Sequence, residues 1–250
     1  MDNEHTANAE KKIDNNANIS VQESDFDKEG WKPKTELGRK VKNGEINDLH
    51  AILESGLKIL ESEIVDYFIR DMEQDIIKLG QSKGKFGGGK RSIWKQTQKK
   101  TKEGNKPKFS TMVVIGNRNG YVGLGRGKAK ETVPAREKAI RDAKLNVISV
   151  KRGCGSWECG CREGHSIPFK VLGKCGSVKV ELMPAPKGSG LVVEDECKRL
   201  LRLAGIKDIY SKTFGQIGTK VNLAQACFNA LKELSKTKIR EEDIKKLGII

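Results

Sequence analysis

Residues 108–148 read KFSTMVVIGNRNGYVGLGRGKAKETVPAREKAIRDAKLNVI, and their pattern decides the fold. Two apolar runs, 109–116 and 121–126, flank the turn Asn117–Gly120 and predict an antiparallel hairpin. Asn119-Gly120 suits a type I′ turn, whose central residues both need positive φ. A helix is expected from about Val133 to Val147, with Pro134 in its first turn. Ala135, Ala139, Ala143 and Val147 make a small-residue stripe that lets this helix lie close on a sheet. Between hairpin and helix runs a glycine-rich basic stretch. Gly123 and Gly125 let backbone amides approach an anion, and Arg126, Lys128 and Lys130 supply charge. A phosphate-holding loop is therefore expected; a tight strand-to-helix turn with incidental lysines is the plainer alternative.

Spacing argues against a nucleotide motif. A P-loop needs Gly where Val122 stands and Ser or Thr where Ala129 stands, and the dinucleotide fingerprint needs Gly at Lys128. An extended nucleic-acid backbone fits the same residues and matches the overall charge better. The chain carries a formal net charge of +15. Residues 1–27 hold seven carboxylates and two lysines, a net −5, which leaves +20 on the remainder. Such an excess favours a polyanion, since each neutralised phosphate releases a condensed counterion. A membrane surface fits less well, because the basic segments are not amphipathic helices with aromatic faces. No apolar run reaches the ~18 residues of a membrane span. The N-terminus has no apolar signal-peptide core, so the cytoplasm is expected.

Residues 1–30 are too polar to offset ordering entropy and are expected to form a disordered acidic tail. Residues 31–82 form an N-terminal extension. Trp31, Pro33, Leu37 and Val41 give a sparse apolar pattern, and helices are predicted over 48–60 and 62–79, the second capped by Ser62. Segment 83–108 holds ten lysines or arginines and one glutamate, with Gly87–Gly89 as a flexible element and an edge strand near Trp94. Its lysines can position phosphates, and Phe86 or Trp94 can stack on unpaired bases, although packing is preferred for Trp94. Beyond the joint at 153–166, strands are predicted over 167–173 and 177–183. A basic APKGSG loop, a helix over 194–204 stopped by Gly205, a short strand in IKDIY and a helix over 221–234 follow. The tail from 237 to 250 is expected to be peripheral.

Cys154, Cys159, Cys161 and His165 fall within twelve residues. Three thiolates and an imidazole match a closed, structural zinc site. Reduced thiols in a joint, with His165 capping a strand, are the alternative. Cys175, Cys197 and Cys227 read as small buried hydrophobes. No nucleophile elbow, His-Glu-x-x-His helix or acid pair is present, so no catalytic residue is assigned.

The runs GNRNGYVGLGRGKAKETVPAREKAIRDAKLN, SIPF, GKCGSVKVELMPAPKGSGLV, LRLAGIKDIYSKTFG and NLAQACFNALK resemble the S-five family of small-subunit ribosomal proteins. The archaeal and eukaryotic branch is the nearer, from the pattern between Trp31 and Lys42 and from CGSWECGC. The resemblance implies an α+β fold. A double-stranded-RNA-binding-like domain over 83–152, with a three-stranded antiparallel sheet and helices, is followed by a βα domain over 167–236. It implies a non-enzymatic constituent of the small subunit. That constituent binds ribosomal RNA beside neighbouring ribosomal proteins, near the messenger RNA entrance, and supports decoding fidelity. By residue, the RNA contacts implied or read from charge are Lys95, Lys99, Lys100, Lys102, Lys106, Lys108, Arg118, Gly123, Gly125, Arg126, Lys128, Lys130, Lys151, Arg152 and Lys187. A nucleotide-dependent RNA enzyme and a free double-stranded-RNA-binding regulator are the rivals. No organic cofactor is expected.

Overall fold

The computed structural model describes residues 28, 30–81 and 91–249. The acidic tail, except Lys28 and Gly30, and the segment holding Phe86 and Gly87–Gly89 lie outside the described residues.

The spine of the molecule is strand β3 (Gly104–Gly116). One edge pairs with β4 (Tyr121–Ala129), which pairs in turn with β5 (Val147–Ser149). The other edge takes two strands end to end: β2 (Lys95–Thr101) along its first half and β1 (Glu73–Ile76) along its last residues. The three expected strands, β2 to β4, are thus joined by two short ones in a five-stranded antiparallel sheet. Directly opposed residues share a face. The pairs Val113↔Gly125 and Ile115↔Gly123 therefore define one face, and Met112↔Arg126 and Val114↔Leu124 the other.

Helix α4 (Thr132–Leu145) lies on the glycine face, with Ala135, Ala139 and Ala143 fully buried. A Cβ at Gly125 would sit 2.1 Å from the Ala143 nitrogen, and one at Gly127 would sit 1.8 Å from the Ala135 oxygen. This corrects the expected phosphate loop. Gly123, Gly125 and Gly127 belong to a strand, and every second residue is glycine because α4 occupies the space of the side chain. The hairpin turn also departs from type I′. Positive φ falls at Arg118 (54°) and Gly120 (94°), not at Asn119. Asn117 Oδ1 accepts from the Asn119 and Tyr121 amides and closes the loop locally.

The N-terminal extension packs over the same layer. Helices α1 (Glu36–Lys42), α2 (Leu49–Glu54) and α3 (Ser62–Phe68) bury Val41, Ile52, Ile64 and Val65 with Trp31, Val113, Ile115 and Ala143. The predicted helix over 48–60 stops early at Gly56, whose φ is +71°. The predicted helix over 62–79 ends at Phe68, and Glu73–Ile76 instead completes the sheet edge. Its apolar spacing fitted a helical stripe, but pairing with β3 and the β-branched Ile76-Ile77 pair favour extended backbone. Ser62 does not cap; the N-cap is Glu61. That carboxylate accepts from the Lys34 and Thr35 amides and so ties α3 to the start of α1. Burial raises its pKa, but the bonds from Thr35 and Lys34 prevail and hold it below the usual range. Asp66 pairs with Lys144 at 2.7 Å and joins α3 to α4.

The second half has its own sheet. β6 (Val171–Cys175), β7 (Val178–Pro184) and β9 (Ile209–Phe214) are antiparallel, and β8 (Leu191–Val192) runs parallel to β9. β6 and β9 begin later than the sequence predicts. Helices α5 (Asp195–Leu203) and α6 (Lys220–Lys236) cover the sheet, and Gly205 stops α5 with φ +85°. Cys197 and Cys227 are fully buried and Cys175 half-buried, as small hydrophobes would be. One apolar core joins both sheets: Met112, Val114, Val122 and Leu124 pack with Val180, Leu182, Leu200 and Leu231. Helix α7 (Glu241–Leu247) has no buried residue, yet the Leu247 carbonyl accepts from the Cys154 amide. No described helix is long and apolar enough to cross a membrane.

Gly125→Ala is expected to cost about 2–3 kcal/mol through overpacking against α4. Gly160→Ala, where a Cβ would meet nothing within 4 Å, is expected to change stability by under ~0.5 kcal/mol. Urea midpoints of the two variants check the contrast.

Candidate nucleic-acid interface and metal centre

Beyond the Phe109↔Ala129 pair, β3 has no β4 partner. Residues 95–108 therefore project as a two-stranded ribbon, and all its lysines are exposed. Its register sorts them by face. Lys99↔Lys106 and Thr97↔Lys108 point to the side opposite α4, as do Lys95↔Ser110↔Lys128 and Arg126. Six predicted contact residues thus share one face: Lys95, Lys99, Lys106, Lys108, Arg126 and Lys128. Lys100 pairs with Asn105 on the reverse face, and Lys102 sits in the turn. Lys130 is exposed just past β4. The one acid of the ribbon, Glu103, pairs with Lys106 at 2.8 Å, an exposed contact of small worth.

The remaining predicted contacts are partly committed to the protein. Arg118 pairs with Glu73 at 2.7 Å, Lys151 donates to the Thr237 carbonyl, and Lys187 pairs with Glu163. Arg152 is half-buried and donates to Asn119 Oδ1; burial pulls its guanidinium below the ordinary arginine range. Gly123 and Gly125 are buried beneath α4 and offer no surface.

The Cys/His set does come together. One ligand atom from each of Cys154, Cys159, Cys161 and His165 lies within 4.8 Å of all the others. Cys159 Sγ is 3.9 Å from His165 Nε2. A tetrahedral ion with bonds of about 2.3 Å needs edges near ~3.8 Å, so the donor set fits. His165 Nδ1 is taken by Asp208 Oδ2 at 2.8 Å, which turns Nε2 toward the thiols. A carboxylate behind the histidine is the arrangement metal sites use to fix a ligand's ring. Hydrogen bonds from the Lys187 and Cys161 amides pull the Cys159 thiol down to about 6, whereas burial pushes Cys154 up to about 11. The lowered Cys159 thiol favours the thiolate, the form a metal ion binds.

Asp208 was not legible beforehand. It is 43 residues from His165 and carries no motif. Its second oxygen accepts from the Gly188 and Gly190 amides at 3.0 and 2.9 Å. One buried carboxylate thus joins the cluster to the APKGSG loop. Trp157, 93% exposed inside the cysteine loop, was likewise not singled out.

Two family models match, one over most of each sheet. Ribosomal protein S5, N-terminal domain, matches residues 93–151, and ribosomal protein S5, C-terminal domain, matches 173–246. The chain belongs to the ribosomal protein S5 family. Its similarity to archaeal members is extensive. It is 50% identical over 225 residues to the small ribosomal subunit protein uS5 of Methanocaldococcus jannaschii, covering 90% of this chain and 97% of that one. Against the Methanobrevibacter smithii protein identity is 49% over 224 residues, covering 90% and 98%. Against the Nanoarchaeum equitans protein it is 48% over 220 residues, covering 88% and 94%.

Asp208→Ala leaves His165 Nδ1 and two loop amides without their acceptor. It is expected to cost about 2–4 kcal/mol and to speed hydrogen exchange at Gly188 and Gly190. Exchange at wild-type rates would show that the link is idle.

Proposed function

We propose that the protein is a structural, RNA-binding constituent of the small ribosomal subunit. It works by gripping ribosomal RNA, not by bond-making, and resides on cytoplasmic ribosomes. The observation that carries this function is the single-faced row of six cations, four on the projecting ribbon and two on β4, in a chain of the S5 family. Lysine and arginine on a regular ribbon position a phosphate backbone without reading its sequence. The exposed Lys100, Lys102, Lys130 and Lys187 add charge at the margins. Neighbouring subunit proteins and incoming messenger RNA lie close by, and the protein supports decoding fidelity by holding the local RNA in shape. The nucleotide-enzyme rival loses its main support, since its glycines pack against α4.

Cys154, Cys159, Cys161 and His165 hold one structural zinc ion. The ion supplies cross-linking of a joint with few apolar side chains, and four protein ligands leave it no open position. Asp208 orients His165 toward it.

Lys99→Glu with Lys108→Glu is expected to weaken binding of small-subunit RNA and flatten the log K against log salt slope by about 0.7–0.9 per lost contact. Lys100→Glu, on the reverse face, is expected to change the slope less. Equal effects from both faces would contradict the one-faced grip.

Elemental analysis of the purified protein is expected to give near-stoichiometric zinc. Cys159→Ser with Cys161→Ser is expected to bring it to background and lower the thermal midpoint by several degrees. An unchanged midpoint in metal-free protein would remove the structural role.

A further inference from the structure

A cleft of about 430 Å³ opens between the hairpin turn 117–120, the end of α5 and the cysteine-rich joint. It gathers four cations, Arg118, Arg152, Arg202 and Lys207, from three separate stretches of the sequence. Glu163 is the one carboxylate in its lining, and that group is already bound to Lys187 at 2.8 Å. Arg118 reaches outward to Glu73. Among the described residues, Arg152, Arg202 and Lys207 form no ion pair.

Arg152 is the focus. Its Nη2 donates to Asn119 Oδ1 at 2.6 Å, while its Nε is buried with no partner among the described residues. A Cβ on Gly205 would stand 2.1 Å from the Arg118 carbonyl oxygen and 3.0 Å from Arg152 Nη1, so glycine, at φ +85°, lets the two walls of the cleft meet beside this cation. Backbone bonds from Arg118 N to the Leu203 carbonyl and from Gly120 N to the Ala204 carbonyl fix the two walls to each other. A half-buried guanidinium with no carboxylate partner of its own, held in a rigid wall beside the exposed Arg202 and Lys207, presents donors suited to an anion.

We propose that this cleft seats a phosphodiester of an RNA strand, with Arg152, Arg202 and Lys207 donating to its non-bridging oxygens. The planar forks of arginine match phosphate oxygens bidentately. The cleft is roomier than a lone inorganic ion needs. Apart from His165, whose ring nitrogens are spoken for by Asp208 and the cysteine cluster, no aromatic side chain lines it to clamp a base. Backbone, not nucleobase, is the part it fits. It forms a second foothold, separate from the ribbon. This inference rests on the RNA-binding function above and names a further place where that binding occurs.

The test uses the full chain and a small-subunit RNA transcript, with affinity measured across a potassium chloride series. Arg202→Ala with Lys207→Ala, both at exposed positions, is expected to flatten the salt slope by roughly one to two units while leaving the thermal midpoint unchanged. Arg152→Lys keeps charge but loses the fork, and is expected to weaken binding several-fold. The Arg152 Nε–H resonance is expected to shift with a short RNA strand, and not to saturate with AMP or inorganic phosphate below millimolar concentration. An unchanged slope in the Arg202/Lys207 variant, with a reduced slope in the Lys99/Lys108 variant, would overturn the cleft and leave the RNA function standing. No change in either variant would remove the RNA function itself. Saturation by micromolar AMP would overturn the proposal in favour of a free-nucleotide site.

Discussion

The contact between the glycine column of β4 and the alanine stripe of α4 is the constraint on which the molecule is arranged. At Gly125 and Gly127 the helix backbone approaches closer than any side chain would allow. Because the helix sits so low, its flanks and the sheet beside it leave a surface that α1 to α3 can cover, and Trp31, Val41 and Ile64 close the layer. The second half uses the same device. A Cβ at Gly173 on β6 would stand 2.1 Å from the Ala226 carbonyl of α6 and 2.8 Å from the Ala230 side chain. Close helix-on-sheet packing, set by small residues on both partners, organises each half.

From that contact follows the division of labour on the other face. With α4 fixed on the glycine side, strict alternation sends the intervening residues of β3 and β4 to the reverse. Near the middle of the molecule these are Met112, Val114, Val122 and Leu124, and they bury against the second half. Farther along the same strands they are Lys106, Lys108, Arg126 and Lys128, and they meet solvent. One register therefore makes both the joint between the halves and the cationic shelf. A one-residue slip would place lysines in the core, so the proposed RNA face is held by the packing of the core.

How much of this was legible depended on whether the deciding contact was local. The hairpin, the helix after it and the alanine stripe could be read because each is encoded by neighbours in the chain. Family membership and the cysteine–histidine grouping were also readable, since their residues are close in sequence. The glycines of β4 are misread as a loop because their partner is a helix eight to twenty residues away. Without that partner, Gly-x-Gly beside lysines looks like an anion loop. β1 was mistaken for helix because Ile64, Phe68, Met72 and Ile76 satisfy a helical stripe, and only the open edge of β3 explains the change at Phe68. Asp208, Arg202 and Lys207 had no local signal. They acquire meaning only where the turn after α5 meets the joint.

That meeting point also explains why the joint can be so poor in apolar side chains. Between Gly153 and Gly164 the only large hydrophobic residue is Trp157, and it faces solvent. Order there has to come from polar linkage. The Lys207 and Asp208 amides both donate to the His165 carbonyl, Asp208 binds the His165 ring, and the same carboxylate gathers the Gly188 and Gly190 amides. The Lys187–Glu163 pair closes the circuit at the surface. A buried carboxylate with three donors is stable because every lone pair in use has a partner, and it would be costly with any one of them missing. The proposed metal adds a second fixed node on the far side of the same imidazole. The basic loop, the cysteine cluster and the wall of the cationic cleft then share one rigid frame. Charge held on a rigid frame loses little conformational entropy when a polyanion arrives, so the proposed contacts of this region would keep more of their electrostatic attraction than freely moving lysines would.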